Sequence, residues 1–333
     1  FIGWRKGPGM CSNAAIAAEV RRSEPAAPRS ARMRRAMYYG HELHFGTFIT
    51  PGNSPPEAAV DLGILSEQLG FDLVTYQDHP YQPRFLDTWT LLSWVAARTE
   101  RIHLAPNVLN LPLRQPAVAA RAAASLDLLS HGRFDLGLGA GGVWDAIEAM
   151  GGRRLTPGQA VDALEEAIDI IRAIWDVSDR TVLRTGGEFY RLDGAKRGPV
   201  PAHDIPIWLG AYKPRMLRLT GRTADGWLPS LGTMTPGEFA SANAIIDDAA
   251  LEAGRDPRSI RRLVNVGGRF TADVGGFLVG PGDTWVDDLL PYVLEHGVGT
   301  VILATDDPDV LRRFADEVAP ALREAVALER AEE

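Results

Sequence analysis

The chain has 333 residues, of which 45% are hydrophobic and 23% are charged, as is typical of a soluble globular protein. Its formal net charge of -8 argues against nucleic acids and anionic membrane surfaces as partners, because both are themselves negative. The only cysteine, Cys11, excludes a disulfide framework and a thiolate metal cluster, and no apolar run reaches the roughly 18 residues of a membrane span. We expect a cytoplasmic protein.

Residues 1–36 differ from the rest of the chain and are rich in Arg, Ala, Ser and Pro. They contain no apolar segment long enough for a secretory signal. We expect a disordered N-terminal extension there, with Met37 as an alternative start, followed by one domain over residues 37–333. A transit-like or nucleic-acid-binding arm is the other interpretation of the extension.

From residue 44 onward, short apolar segments alternate with amphipathic helical ones. Strands are predicted at residues 44–50, 71–76, 101–110, 133–138, 207–212, 226–229, 263–270 and 300–305. Helices are predicted at residues 56–70, 86–100, 115–129, 158–176, 214–223, 236–253, 284–296 and 308–326. Residues 177–205 interrupt this alternation with two short β-like runs around two glycines, which indicates a hairpin insertion. Eight βα units favour a (β/α)8 barrel, that is, a TIM barrel; an open doubly wound sheet with a cap is the alternative.

Three polar residues follow directly on a strand that is apolar throughout. Gln77, Asp78 and His79 come after residues 71–76, and Pro80 ends the strand because it has no N–H for a ladder. Ligands of α/β folds bind outside the carboxyl ends of parallel strands, so Asp78 and His79 are candidates for a site. In the alternative interpretation Asp78 caps the loop and His79 is structural.

A glycine-rich turn follows the fourth predicted strand. Gly137, Gly139 and Gly142 match G-x-G-x-x-G, but no full helix and no acidic strand end follow, so we reject a Rossmann fingerprint. The glycines still permit the backbone to approach a flat or phosphorylated ligand closely. An ordinary tight turn is the alternative.

A second small-residue strand end leads into a helix that begins at Pro214. The helix N-terminus with Lys213 and Arg215 is a candidate phosphate site, and a solvated basic turn is the alternative. His41 and His44 are three residues apart rather than the four that H-E-x-x-H requires, so we expect no metal. The sequence shows no nucleophile elbow and no paired carboxylates that could carry out a reaction. We therefore expect a bound cofactor to supply the chemistry at the glycine-rich strand ends.

Residues 77–80, 107–141 and 210–230 resemble the bacterial luciferase-like flavin-dependent oxidoreductases, and the resemblance extends over residues 45–326. Members of this family are (β/α)8 barrels with an excursion in the later half. The Asp-His pair and the segment from Gly210 look most like the branch that uses coenzyme F420, a deazaflavin. The resemblance therefore implies F420 as cofactor, with FMN as the alternative.

The resemblance also implies roles for individual residues. Asp78 and His79 match the catalytic pair beside the reactive flavin edge, with His79 as the proton carrier. Asn107 and Val108 match a site that often has a non-prolyl cis peptide behind the ring. The full set implied to bind the cofactor is Asn107, Val108, Gly139, Ala140, Gly141, Gly210, Ala211, Tyr212 and Lys213. Gly142 stands where the sugar-phosphate dehydrogenases of this branch have a catalytic Glu, which argues against a sugar-phosphate substrate.

The resemblance implies an F420-dependent oxidoreductase that transfers hydride between the deazaflavin and a small organic substrate. An FMN-dependent luciferase-like monooxygenase that uses reduced flavin and oxygen is one alternative. A flavin- or deazaflavin-binding protein without turnover is the other. The family also suggests a homodimer or higher homo-oligomer.

Overall fold

The computed structural model describes residues 39–331, so the extension expected over residues 1–36 lies outside the described residues. The division of the chain into an extension and one domain therefore stays a prediction. Among the described helices, none combines the length and apolar character needed to cross a lipid bilayer.

The described residues form a barrel of parallel strands surrounded by helices. The strands are β1 (His44–Ile49), β2 (Leu73–Tyr76), β3 (His103–Pro106), β4 (Leu109–Asn110), β5 (Leu136–Gly139), β6 (Leu183–Gly186), β7 (Arg191–Ala195), β8 (Ile207–Leu209), β9 (Gly226–Trp227), β10 (Arg261–Val266), β11 (Arg269–Phe270), β12 (Val279–Gly280) and β13 (Val298–Ala304). The main sheet has the order β3-β2-β1-β13-β10-β9-β8-β5-β4, and all its pairs are parallel. The predicted (β/α)8 class is confirmed.

The third barrel position is occupied by two strand segments instead of one. β3 pairs with β2, whereas β4 pairs with β5, and only Asn107 and Val108 separate the two segments. The third strand thus pairs with β2 on one side and with the fourth barrel strand on the other, where Leu104 also bonds to Arg133 and Asp135, and this closes the barrel. The prediction of one continuous strand over residues 101–110 is therefore wrong, because the backbone bulges at Asn107 and Val108.

The helices lie outside the sheet. They are α1 (Ala58–Gln68), α2 (Thr88–Ala96), α3 (Pro116–Leu129), α4 (Trp144–Ala149), α5 (Pro157–Trp175), α6 (Pro214–Thr223), α7 (Pro236–Glu252), α8 (Gly282–His296), α9 (Pro308–Arg313) and α10 (Ala319–Ala331). The last predicted helix is two helices joined by a π turn over Phe314–Val318, and the short α4 was not predicted. Both α5 and α7 begin with a capping box, formed by Thr156 with Gln159 and by Thr235 with Glu238.

The insertion is a hairpin, as predicted. β6 and β7 pair antiparallel in a sheet of their own. Glu166 on α5 accepts hydrogen bonds from the backbone N–H groups of Glu188, Phe189 and Tyr190 at 2.9 to 3.1 Å. One carboxylate on a barrel helix therefore fixes the turn of the hairpin.

The barrel sheet separates two clusters of buried apolar side chains. A large cluster fills the space between the strands and the helices, whereas a small one fills the barrel interior. The interior cluster consists of Leu73, Ala105, Trp208, Leu228, Leu263 and Ile302, with Phe48 and Val108 packed against it. Side chains therefore fill the middle of the barrel, and any ligand must bind near one of its ends.

Gly137 in β5 lies too close to the neighbouring strand to carry a side chain. A β-carbon on Gly137 would collide with the carbonyl oxygen of Pro106 in β3, whereas Gly142 has no atom within 4 Å of the corresponding point. We expect Gly137→Ala to lower the free energy of unfolding by about 2 kcal/mol or more, because the added methyl group would overlap a backbone oxygen and force the two strands apart. Equilibrium urea denaturation measures this, with Gly142→Ala as the matched control. Equal stability of the two variants would contradict the close contact between β3 and β5.

Candidate active site

The carboxyl ends of four barrel strands bring the predicted site residues to one end of the barrel. We call the region enclosed by residues 77–79, 107–110, 139–141 and 210–213 the mouth. Residues 77–79 follow β2, and residues 107–110 form the bulge and the end of the third strand. Residues 139–141 end and follow β5, and residues 210–213 follow β8. All the residues predicted to be catalytic or cofactor-binding lie in them.

Val108 lies at the centre of the mouth. The peptide bond between Asn107 and Val108 is cis, as the family resemblance implied. A β-carbon on Gly139 would lie 2.7 Å from one Val108 methyl group, and one on Gly210 would lie 3.6 Å from both. Gly137 and Gly139 thus make room for the bulge in the neighbouring strand. The glycines at the end of the fourth predicted strand therefore accommodate Val108 of the chain itself, as well as any ligand.

A pair of carboxamides joins opposite sides of the mouth. Asn107 Nδ2 donates to Asn265 Oδ1 at 2.7 Å, and Asn265 Nδ2 donates back to Asn107 Oδ1 at 3.2 Å. The second hydrogens go to Thr75 Oγ1 at 3.2 Å and to Ser230 Oγ at 3.4 Å. Asn265 and Ser230 were missed from the sequence, although a single Asn within the apolar strand β10 was a usable signal.

Asp78 lies buried in a network of donors. Its side chain is 1% exposed, and its Oδ2 accepts the backbone N–H of Asn110 at 2.9 Å. Arg114 donates to Asp78 Oδ1 at 2.9 Å and to Asp87 at 2.6 Å. Arg114, which sequence reasoning also missed, therefore compensates a buried negative charge. This carboxylate joins the end of β2 to β4, an arrangement suited to positioning.

His79 differs from its neighbour in having no such partner. Its half-buried ring stacks on Tyr81 and Phe85, with ring centroids 5.4 and 6.4 Å away. Nothing in the described part of the chain forms a hydrogen bond with its ring nitrogens. Burial lowers the pKa of His79 below the ordinary value of a histidine, and the negative charge of Asp78 opposes that shift. The lowered pKa favours the neutral form of the imidazole, which is the form that accepts a proton.

The end of β8 contributes backbone groups and the exposed side chain of Lys213. Ala211 is 1% exposed, and its carbonyl accepts the indole N–H of Trp227 at 2.9 Å, whereas Tyr212 Oη accepts the N–H of Ser230 at 2.8 Å. Arg215 points away and binds Asp162 and the Gly158 carbonyl. Lys213 is exposed beside a groove of about 540 Å³ that Tyr212 also lines. Lys213, and not Arg215, can therefore meet an anion here.

The opposite end of the barrel also has a cavity, of about 650 Å³. It is lined by residues that begin or precede strands, including His44, Asp72, His103, Asp135 and Arg261. None of the predicted site residues lines it. Because ligands of parallel barrels bind at the carboxyl ends of the strands, we assign the site to the mouth.

Replacing Arg114 tests the network around Asp78. Arg114→Met leaves a buried carboxylate without its counter-ion, and we expect a loss of about 3 kcal/mol in the free energy of unfolding. The double variant with Asp78→Asn removes the charge as well, so it should recover part of that loss. Urea denaturation of the two variants measures the difference. A single variant as stable as the wild type would disprove the ion pair's role.

Comparison with known proteins gives one consistent family. Residues 42–267 match the model of the luciferase-like monooxygenase family. A phthiodiolone/phenolphthiodiolone dimycocerosates ketoreductase of Mycobacterium kansasii is 34% identical over 76% of this chain and 71% of its own length. An F420-dependent glucose-6-phosphate dehydrogenase of Nocardia farcinica is 33% identical over 68% of each chain.

A solved structure supports the same fold. It is an F420-dependent secondary alcohol dehydrogenase in complex with an F420-acetone adduct, and it is 18% identical to this chain. The TM-score is 0.75, with 84% of this chain and 99% of the other covered. At that identity the likeness concerns the fold alone. The family model and the two relatives nevertheless agree, and this chain belongs to the luciferase-like monooxygenase family of oxidoreductases.

Proposed function

We propose that this protein is an F420-dependent oxidoreductase that interconverts a ketone and a secondary alcohol by hydride transfer. One observation carries the proposal: the mouth contains both the Val108 bulge and the half-buried His79. Glycines surround the bulge, and the His79 ring forms no hydrogen bond with any described residue. The two curated relatives support it, since one is named a ketoreductase and the other an F420-dependent dehydrogenase.

The residues of the mouth fit a deazaflavin cofactor. Val108 offers an apolar surface for a flat ring, and Gly210 beside it has no side chain to obstruct one. Exposed Gly141 and Gly142 leave the rim open. Lys213 and the first N–H groups of α6 would hold the negatively charged side chain of the cofactor. When bound, the deazaflavin supplies a ring carbon that gives or takes hydride.

His79 would move the proton that accompanies the hydride. A neutral imidazole accepts the proton of an alcohol hydroxyl, and its protonated form returns that proton to a carbonyl oxygen. Asp78 would act as a positioning residue, because Arg114 and the Asn110 N–H already occupy its oxygens. The catalytic role predicted for Asp78 thus becomes an indirect one in this proposal.

The structure around Gly142 disfavours a sugar-phosphate substrate. The catalytic Glu expected from the resemblance is absent, and the nearby Asp145 binds Arg154. A ketone or alcohol needs only one proton carrier, which His79 provides. The FMN-dependent monooxygenase and the binding protein without turnover remain the alternatives. The cytoplasmic location and the homo-oligomer stay predictions.

Cofactor titration tests the proposal first. We expect F420 to bind the purified protein and to change its fluorescence, with FMN binding much more weakly. Oxidation of reduced F420 by a panel of small and long-chain ketones, followed by absorbance, would then establish turnover. Preference for FMN together with oxygen consumption would favour the monooxygenase. Tight F420 binding without turnover on any ketone or alcohol would favour the binding protein.

The role of His79 predicts opposite pH profiles for the two directions. Because burial lowers its pKa, kcat/KM for alcohol oxidation should rise with pH to a plateau, with a midpoint below about 6.5, whereas ketone reduction should fall over the same range. His79→Gln should slow both by roughly 10²-fold or more and abolish this dependence. His131→Asn, at an exposed position in the turn between α3 and β5, is the control. An unchanged profile in His79→Gln would exclude His79 as the proton carrier.

A further inference from the structure

The cavity at the end of the barrel opposite the mouth has no part in the proposed reaction. Its volume of about 650 Å³ lies within the range that is usual for small-molecule sites. Arg261 at the start of β10 and Thr300 in β13 line it. Leu263 and Ile302 follow them by two residues and belong to the interior cluster, so all four side chains face the barrel axis. The cavity therefore lies directly below the interior cluster.

Arg261 is held in place through only part of its guanidinium group. Nε donates to Thr300 Oγ1 at 2.6 Å, and Nη2 donates to the carbonyl oxygens of Glu42 and Gly299 at 2.7 and 3.0 Å. Nη1 forms no hydrogen bond with any described residue, and it is not among the fully enclosed polar atoms of these residues. The side chain is half-buried and lines the cavity. Two N–H groups of an immobilised guanidinium are therefore accessible to a ligand.

The neighbouring Arg262 shows how the charge of a buried arginine is compensated elsewhere in this protein. Arg262 points to the other face of β10, where it is fully buried and forms an ion pair with Asp247 on α7. Arg261 has no carboxylate oxygen within 4 Å in the part of the chain that the structure describes. Burial lowers the pKa of Arg261, and three carboxylates farther away oppose that shift. Its charge thus lacks a direct counter-ion at the cavity wall.

The acidic side chains that line the cavity are already engaged within the chain. Each accepts hydrogen bonds from backbone N–H groups or from basic side chains; they are Glu67, Asp72, Asp135 and Asp225. The cavity therefore offers a ligand unused donors rather than unused carboxylates, which favours an anion.

His44 provides a second donor beside Arg261. Its half-buried ring lines the cavity and forms no hydrogen bond with any described residue, and the nearest carboxylate oxygen, on the exposed Glu42, is 4.0 Å away. Burial lowers the pKa of His44 and favours its neutral form, which still carries one N–H. His44 is the partner of Thr300 in the sheet register, and Arg261 bonds to the same Thr300. The two donors therefore flank one residue.

We propose that this cavity binds a small organic monocarboxylate with an apolar body. The carboxylate accepts hydrogen bonds from Arg261 Nη1 and from the ring N–H of His44. The body packs on Leu73 and Trp208, which belong to the interior cluster and line the cavity. A single negative charge fits better than the two charges of a phosphate, because carboxylates of the chain line the same cavity. The site is separate from the mouth and does not depend on the proposed function.

Calorimetric titration of the cofactor-free protein with benzoate tests the proposal. We expect benzoate to bind, and benzamide, a neutral molecule of similar shape, and inorganic phosphate to bind about tenfold more weakly or worse. Arg261→Met should raise the dissociation constant of benzoate about tenfold or more, and His44→Leu about threefold or more, since each variant loses a donor. Lys213→Met removes the exposed cation of the mouth and is the matched control, with wild-type affinity expected.

Four results would overturn the proposal. The first is a wild-type protein that does not bind benzoate, and the second is equal affinity for benzoate and benzamide, which would show that the charge makes no contact. The third is tighter binding of phosphate than of benzoate. The fourth is loss of benzoate binding in Lys213→Met but not in the cavity variants, which would place the anion in the mouth.

The two cavity variants differ in their structural risk. Arg261→Met also removes three hydrogen bonds within the chain, so its thermal midpoint is measured before the titration. The ring of His44 has no hydrogen bond to lose within the described chain, and His44→Leu should keep the wild-type fold. If Arg261→Met does not fold, His44→Leu decides the test, and wild-type affinity in that variant would overturn the role of His44 as a donor and with it the proposed site.

Discussion

The close approach of Val108 to the neighbouring strand is the constraint on which the mouth depends. The third strand bulges into the barrel, and the fourth barrel strand accommodates it only because Gly137 and Gly139 lack side chains. The third strand bonds to the fourth on both sides of the bulge, through Leu104 before it and through β4 after it. The two glycines therefore keep these strands in contact where the bulge would otherwise separate them.

Polar side chains around the bulge form two networks with different tasks. The pair of Asn107 and Asn265 joins opposite walls through neutral hydrogen bonds, which avoids the desolvation cost of charges. Asp78 and Arg114 join adjacent strands through a buried ion pair. His79 belongs to neither network. The carboxylate and the carboxamides around the bulge are thus fixed by partners, whereas the His79 ring forms no hydrogen bond with any residue that the structure describes.

The sequence predicted the barrel well because each of its elements has a local signal. The helix from Pro214 to Thr223 is confirmed at both ends, since proline favours the first turn of a helix. The partners of Asp78 and Asn107 were not predictable, because Arg114 and Asn265 meet them only once the barrel has closed. The glycines were recognised as sites of close approach, but the sequence could not show that part of this space is filled by the chain itself.

The interior cluster also determines how molecules reach the site. Leu73, Trp208 and Leu263 belong to that cluster and also line the cavity at the opposite end. They therefore form a partition across the barrel, and the two ends share no passage through its middle. A ligand at the mouth can therefore exchange with solvent only through that end of the barrel, and one in the opposite cavity only through the other.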